Sequence, residues 1–153
     1  MDPNRIGSYG ISMGGITTVV VAAIEPRIAT HVVALAGGPI TDIMVASKDK
    51  LVAKPRNKYL ARNHMTVEDL RTQLSESVRT DPVALARYVD PQRVFMFMAV
   101  FDHTIGRDHA LTLWHALREP KAVFMPAGHY TSYLLLPYLK YESLRRLKKE
   151  LGS

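Results

Sequence analysis

The chain of 153 residues, with 47% hydrophobic and 22% charged side chains, has the composition of one folded domain rather than of a disordered segment. The absence of cysteine excludes disulfides, thiolate metal sites and a cysteine nucleophile. The net charge of +6 comes without a nucleic-acid motif, and no apolar run approaches the roughly 20 residues of a membrane span, so we expect a cytoplasmic protein without nucleic-acid or membrane partners.

Short apolar runs alternate with helical patterns along the chain, which predicts an α/β fold with about four parallel strands and flanking helices. The strands are predicted at residues 5–10, 31–36, 93–100 and 122–125, and helices at 13–24, 107–117 and up to about 151. Residues 41–90 predict helices and connectors without a strand. We interpret this block as a helical insertion, and a candidate lid, within a single domain over residues 1–153.

Local signals inside the insertion mark helix starts and a charged segment. Thr66 and Asp69 have the spacing of a capping pair, and Asp81 followed by Pro82 is typical of a helix start. Six basic residues and one acid lie between residues 48 and 62. We interpret them as a solvated, mobile segment rather than an anion-binding patch, because aromatic side chains are sparse there.

Residues 10–14 match the pattern G-x-S-x-G at the end of a predicted strand and the start of a predicted helix. In this setting the pattern is typical of a strained turn that exposes a nucleophilic serine, here Ser12. We expect glycine at both flanks, Gly10 and Gly14, because side chains there would collide in the turn. The helix start makes the Met13 N–H a candidate oxyanion donor. Phosphate-binding glycine patterns are absent, which disfavours a nucleotide site.

A serine hydroxyl is a weak nucleophile and needs a base that a third group orients. His129 follows the fourth predicted strand and Asp102 follows the third, so both are expected at the sheet edge that carries Ser12. Asp108, at a predicted helix start, is the alternative acid. His103 and His109 flank Asp108, but no third ligand lies nearby, so we expect surface residues rather than a metal site.

The segment Asp2–Gly7 and the turn at residues 10–15 together resemble the nucleophile region of bacterial α/β-hydrolases. The most similar members are esterases related to dienelactone hydrolases and acetyl xylan esterases. Residues 101–105 resemble the loop that carries the acid in this family, and residues 128–130 resemble its histidine loop. The resemblance covers nearly the whole chain, with a generic insertion in the middle.

This resemblance implies a serine hydrolase that cleaves carboxylic esters through an acyl-enzyme intermediate. Ser12 would be the nucleophile, His129 the base and Asp102 the orienting acid, in the chain order Ser, Asp, His of that family. The Met13 N–H would belong to the oxyanion hole. A small-molecule ester is then the expected substrate, and no cofactor or metal is implied.

The family fold has more strands than this chain predicts, and its nucleophile strand is central. We therefore expect a truncated α/β-hydrolase fold that corresponds to the C-terminal half, without the loop that gives relatives a second oxyanion donor. The strand at residues 5–10 would have a free edge, which predicts a homodimer or higher oligomer through that edge. The alternative function is a non-catalytic or weakly active half-domain that assembles with another chain.

Overall fold

The computed structural model describes residues 5–152; the Asp2–Asn4 part of the sequence resemblance lies outside this range. Within it, the strands are β1 (Ile6–Ile11), β2 (Ile28–Ala34), β3 (Val94–Ala99) and β4 (Lys121–Met125). The α-helices of the same range are α1 (Met13–Ile24), α2 (Ile40–Ala46), α3 (Lys50–Asn63), α4 (Val67–Ser77), α5 (Pro82–Leu85), α6 (Arg107–Ala116) and α7 (Leu136–Leu151). No helix among these residues is both long enough and apolar enough to cross a bilayer.

The four strands are parallel and lie in chain order, β1-β2-β3-β4, so helices connect one end of the sheet to the other. Every residue of β3 is buried, as its continuous apolar sequence predicts for a strand covered on both faces. One face packs against α1 and α6 around Val33, Met96 and Leu113. The other packs against α7 around Phe97 and Leu139. The predicted fold class, four parallel strands with flanking helices, is confirmed.

The second strand differs most from its predicted bounds. It runs over Ile28–Ala34 instead of residues 31–36, although the apolar sequence continues beyond Ala34. Leu35 ends the strand because it has φ 52°, a left-handed conformation that a strand does not accommodate. The other three strands differ from their predicted bounds by one residue at one or both ends.

The insertion between β2 and β3 consists of α2–α5 and short 3-10 turns, without a strand. The predicted capping pair is present, since the Thr66 hydroxyl accepts the Asp69 N–H at 3.1 Å and the Asp69 carboxylate accepts the Thr66 N–H at 2.8 Å. Asp81 accepts the Val83 N–H at 2.9 Å, and Pro82 is the first residue of α5. Both predicted helix starts are therefore confirmed.

The basic segment differs from the mobile stretch that the sequence predicted, because most of it forms α3. Arg56 in this helix turns back and donates to the carbonyls of Val45 and Ser47, at 2.7 and 2.9 Å. These bonds satisfy carbonyls at the end of α2 and join the two helices. Pro137 is accommodated near the first residues of α7, so it starts that helix rather than kinking it.

Candidate active site

The turn from β1 into α1 places Ser12 at the carboxyl end of the sheet. Ser12 has φ 56° and ψ −120°, a combination that non-glycine residues rarely adopt. Its N–H donates to the Ala34 carbonyl at 2.8 Å, and its carbonyl accepts the Ile16 N–H at 3.0 Å. The serine is thus fixed through its backbone, next to the N–H groups of the first turn of α1 that have no partner within the helix.

Close backbone contacts explain Gly10 and Gly15 in the turn, whereas the sequence predicted Gly10 and Gly14. A Cβ on Gly10 would lie 2.1 Å from the Gly14 carbonyl oxygen, so a side chain is excluded there. A Cβ on Gly14 would meet no atom within 4 Å, and the expectation of a collision at Gly14 is wrong. The second crowded position is Gly15, where a Cβ would lie 2.7 Å from the Ala34 carbonyl oxygen because α1 packs closely on β2 there.

The structure brings together the three side chains that the sequence singled out. The Ser12 Oγ lies 3.0 Å from the Nε2 of His129. The Nδ1 of the same ring donates to the Oδ2 of Asp102 at 2.7 Å. His129 and Asp102 are buried, with 7% and 4% of their surface exposed, so little water competes for these bonds. In this arrangement His129 can accept a proton from Ser12, and Asp102 can stabilise the positive charge that results on the imidazole.

The loop after β3 holds Asp102 as an acceptor. Its Oδ1 accepts the N–H groups of Thr104 and Ile105, both at 2.9 Å. The other oxygen remains for His129. Because three donors point at this carboxylate, its orientation is fixed.

Three further polar residues, Asp49, Thr104 and Tyr130, border this row, and the sequence pattern does not indicate their roles. Asp49, at the start of α3, accepts the hydroxyl of Thr104 at 2.8 Å. The Tyr130 hydroxyl lies near the same carboxylate, and the two groups affect each other's pKa. Tyr130 follows His129, and their rings meet edge to face with centroids 5.5 Å apart. The cap position of Asp49 before a helix is visible in the sequence, but its two distant partners are not.

The pKa values of Asp49 and Tyr130 are displaced in opposite directions by these contacts. Hydrogen bonds from the Leu51 N–H and the Thr104 hydroxyl, and next the nearby Tyr130 hydroxyl, lower the pKa of the Asp49 carboxylate. The nearby Asp49 carboxylate raises the pKa of Tyr130. At neutral pH, therefore, Asp49 is ionised and Tyr130 keeps its proton.

The other candidates from the sequence lie apart from this row. Asp108 is exposed in the first turn of α6, and the carboxylate that contacts His129 is that of Asp102. His103 is exposed as well. Across residues 5–152, no three His, Asp or Glu side chains are grouped closely enough to hold a metal ion.

An open cavity of about 320 Å³ borders His129. Its wall includes Phe101, Tyr130 and Lys48, together with Asp49 and Thr104. Phe101 is 59% exposed and Tyr130 is 51% exposed, so two aromatic rings face solvent beside the row of hydrogen bonds. Such a surface is suited to an apolar part of a small organic molecule.

No protein-family model and no curated protein matches this sequence. Solved structures do match. An acylaminoacyl peptidase from Pyrococcus horikoshii aligns over 97% of this chain with a TM-score of 0.66 and 17% identity. The α/β-hydrolase GrgF from Penicillium sp. sh18 aligns over 99% with a TM-score of 0.68 and 17% identity. Acetyl xylan esterase 1 from Thermoanaerobacterium sp. JW/SL YS485 aligns over 84% with a TM-score of 0.62 and 19% identity.

These likenesses establish the fold, because the backbones superpose although few residues are identical. The chain spans 23% of the peptidase, 66% of GrgF and 41% of the acetyl xylan esterase. It therefore has the architecture of part of an α/β-hydrolase.

Proposed function

We propose that this protein is a serine hydrolase that cleaves carboxylic esters, with Ser12 as nucleophile, His129 as base and Asp102 as the acid that orients the imidazole. The observation that carries the proposal is the row of hydrogen bonds from Ser12 Oγ through His129 to Asp102, at 3.0 and 2.7 Å. The row begins on a strained turn at the end of a strand, which is the setting that such a nucleophile needs. The fold of the superposing hydrolases is consistent with it.

In the proposed reaction the Ser12 Oγ attacks the ester carbonyl carbon while its proton moves to the Nε2 of His129. The Met13 N–H donates to the oxygen that becomes negative. When the tetrahedral intermediate collapses, the alcohol leaves with the proton from Nε2 and the acyl group remains on Ser12. A water molecule then attacks the acyl group, His129 accepts the water's proton, and Ser12 regains it as the carboxylic acid is released.

Asp102 keeps its charge throughout this cycle. It holds the Nδ1 proton of His129, so that Nε2 is free to accept from Ser12, and it stabilises the imidazolium that forms. The chemistry requires neither a cofactor nor a metal ion. The Met13 N–H is the oxyanion donor that this turn supplies, and one such donor is worth about 3 kcal/mol.

Hydrolysis of p-nitrophenyl acetate by the wild type and by Ser12→Ala, His129→Ala and Asp102→Ala tests the proposal. Each of the first two substitutions is expected to lower kcat by more than about 10³-fold, and the pair together no further, because the groups act as a unit. The wild-type rate should rise between about pH 5 and 8 as a histidine base loses its proton.

Ser143→Ala is a control, because the Ser143 hydroxyl donates to the Leu139 carbonyl within α7, away from His129. It should retain the wild-type rate. Activity that persists in Ser12→Ala would show that this serine is not the nucleophile.

A second candidate function is assembly with another chain, with weak catalysis or none. The observation that favours it is an apolar groove of about 480 Å³ between β1 and α7, bordered by Tyr9, Ile11, Leu144 and Leu147. β1 pairs only with β2 within residues 5–152, so its other edge offers free N–H and C=O groups. A folded wild type that hydrolyses no ester but binds a second chain at this edge would support this candidate.

A further inference from the structure

Asp49 lies on the insertion, yet its carboxylate contacts both loops that carry the proposed base and acid. One oxygen caps α3 by accepting the Leu51 N–H at 2.8 Å. The other accepts the hydroxyl of Thr104 at 2.8 Å, and the Thr104 N–H donates to Asp102. The Tyr130 hydroxyl lies near the same carboxylate, on the wall of the same cavity. A single side chain therefore joins the acid loop, the histidine loop and a helix of the insertion.

The segment around Asp49 is itself held firmly. The Ser47 hydroxyl donates to the Thr104 carbonyl at 2.9 Å, and Ser47 is buried. The Arg56 guanidinium donates to the Ser47 carbonyl at 2.9 Å. Thr104 is thus bound on both its hydroxyl and its carbonyl by neighbouring residues of the insertion. Because these hydrogen bonds leave the segment around Asp49 few alternative positions, the segment can fix the position of Thr104.

We propose that Asp49 is a positioning residue of this site, which holds Thr104 beside Asp102 and Tyr130 beside His129. The inference deepens the proposed hydrolase function and rests on it for the kinetic consequences. The insertion then has a role that is different from that of a lid: the start of α3 holds the loop of Asp102 and the loop of His129 in place. The alignment of the His129 ring toward Ser12 depends on this contact.

The same carboxylate contributes charge as well as position. The charged or titratable groups next to His129 are Asp102, Asp49 and Tyr130, with Lys48 and His103 on the wall of the adjoining cavity. Asp49 is ionised wherever a histidine titrates, since its own pKa is lowered. A negative charge near the ring favours the imidazolium, which is the form that appears during the proposed reaction.

Asp49→Asn and Asp49→Ala separate the two contributions. Asparagine remains a good helix cap, so the first variant keeps α3 but loses the charge. We expect Asp49→Ala to lower kcat for p-nitrophenyl acetate about 10- to 100-fold, because the reacting groups are misaligned. Asp49→Asn should have a smaller effect on kcat and should move the rising part of the pH–rate profile toward lower pH.

Asp90→Asn is the matched control. Asp90 likewise caps a helical turn by accepting the Gln92 N–H at 2.9 Å, but it precedes β3, at the end of the sheet opposite Asp102. This variant should leave both kcat and the pH–rate profile unchanged.

Backbone NMR tests this role without turnover. In Asp49→Ala the amide shifts of Thr104 and Tyr130 should change, because the carboxylate that holds the two loops is lost, whereas in Asp90→Asn they should not. If the wild type hydrolyses no ester but these shifts still change, the proposed function fails and the role of Asp49 stands. If the wild type is active and neither kcat nor these shifts change in either Asp49 variant, the role of Asp49 is overturned.

Discussion

Ser12 carries backbone strain that the surrounding structure holds in place. Its φ of 56° costs on the order of 1–3 kcal/mol for a residue with a side chain. The bonds from its N–H to Ala34 and from Ile16 to its carbonyl keep this conformation. This conformation places the Ser12 hydroxyl at the start of α1, 3.0 Å from the Nε2 of His129.

A second buried histidine, His31, gives the protein a pH-dependent stability that is separate from the candidate site. Its Nδ1 is 2.7 Å from the Ser8 hydroxyl. Burial, and next the charge of Arg93, lower the pKa of His31 from 6.5 to about 4. The unfolded chain binds a proton on this residue between those values and the folded chain does not. Stability is therefore full above about pH 6.5 and falls as the pH decreases toward 4.

We expect His31 to account for about 3 kcal/mol of lost unfolding free energy between pH 7 and pH 4, since one pH unit corresponds to about 1.4 kcal/mol. Urea unfolding of the wild type and of His31→Gln across this range measures the contribution. The variant should lose less stability on acidification. His115→Gln is the control, because the His115 side chain is 59% exposed. Equal pH dependence in the wild type and His31→Gln would refute the assignment.

At the scale of elements, the β1–α1–β2 unit depends on how closely α1 approaches β2. Gly15 faces that strand, and a Cβ added there would lie 2.7 Å from the Ala34 carbonyl oxygen, whereas Gly14 faces open space. Both glycines lie in the first turn of the same helix. They differ in what stands opposite them, and this is a property of the packed pair of elements rather than of the helix alone.

Gly15→Ala and Gly14→Ala form a matched pair that tests this packing. Gly15→Ala should lower the unfolding free energy by about 1–3 kcal/mol and reduce esterase activity, because α1 must move away from β2. Gly14→Ala should be neutral or stabilise by up to about 1 kcal/mol, since alanine favours the helix and meets no atom. Urea unfolding midpoints measure both effects. A larger loss in Gly14→Ala than in Gly15→Ala would contradict the packing argument.

At the scale of the whole molecule, one exposed apolar surface lies at the β1 edge. Tyr9 and Leu144 are 43% and 47% exposed, and they border the groove between β1 and α7. An edge strand beside an apolar helix is a surface that a second chain covers well. We propose a symmetric homodimer in which two copies of β1 pair antiparallel, which gives a sheet of eight strands from two four-stranded halves.

Sedimentation at micromolar concentration tests the dimer against the 17.1 kDa mass of a single chain. Leu144→Lys is expected to shift the protein toward the monomer, because it places a charge in the proposed interface. Leu51→Lys should not, since Leu51 is 75% exposed on α3 and away from the β1 edge. A wild type that sediments as a monomer, or equal behaviour of the two variants, would argue against this interface.

Much of the architecture follows from local patterns in the sequence. Continuous apolar runs predict buried parallel strands, and caps such as Thr66 and Asp81 fix helix starts, because each depends on residues within a few positions of one another. Ser12 could be singled out for the same reason, since G-x-S-x-G describes one turn. His129 and Asp102 required only the further rule that parallel strands end at a common edge.

What the tertiary structure decided depends on residues that meet from distant parts of the chain. The end of β2 at Leu35, the crowding at Gly15 rather than Gly14, and the contacts of Asp49 with Thr104 and Tyr130 have no local signature. Each arises from packing between elements separated by many residues. The energy of such a contact depends on the distance between its atoms in the folded structure, which the separation of the two residues along the sequence does not give.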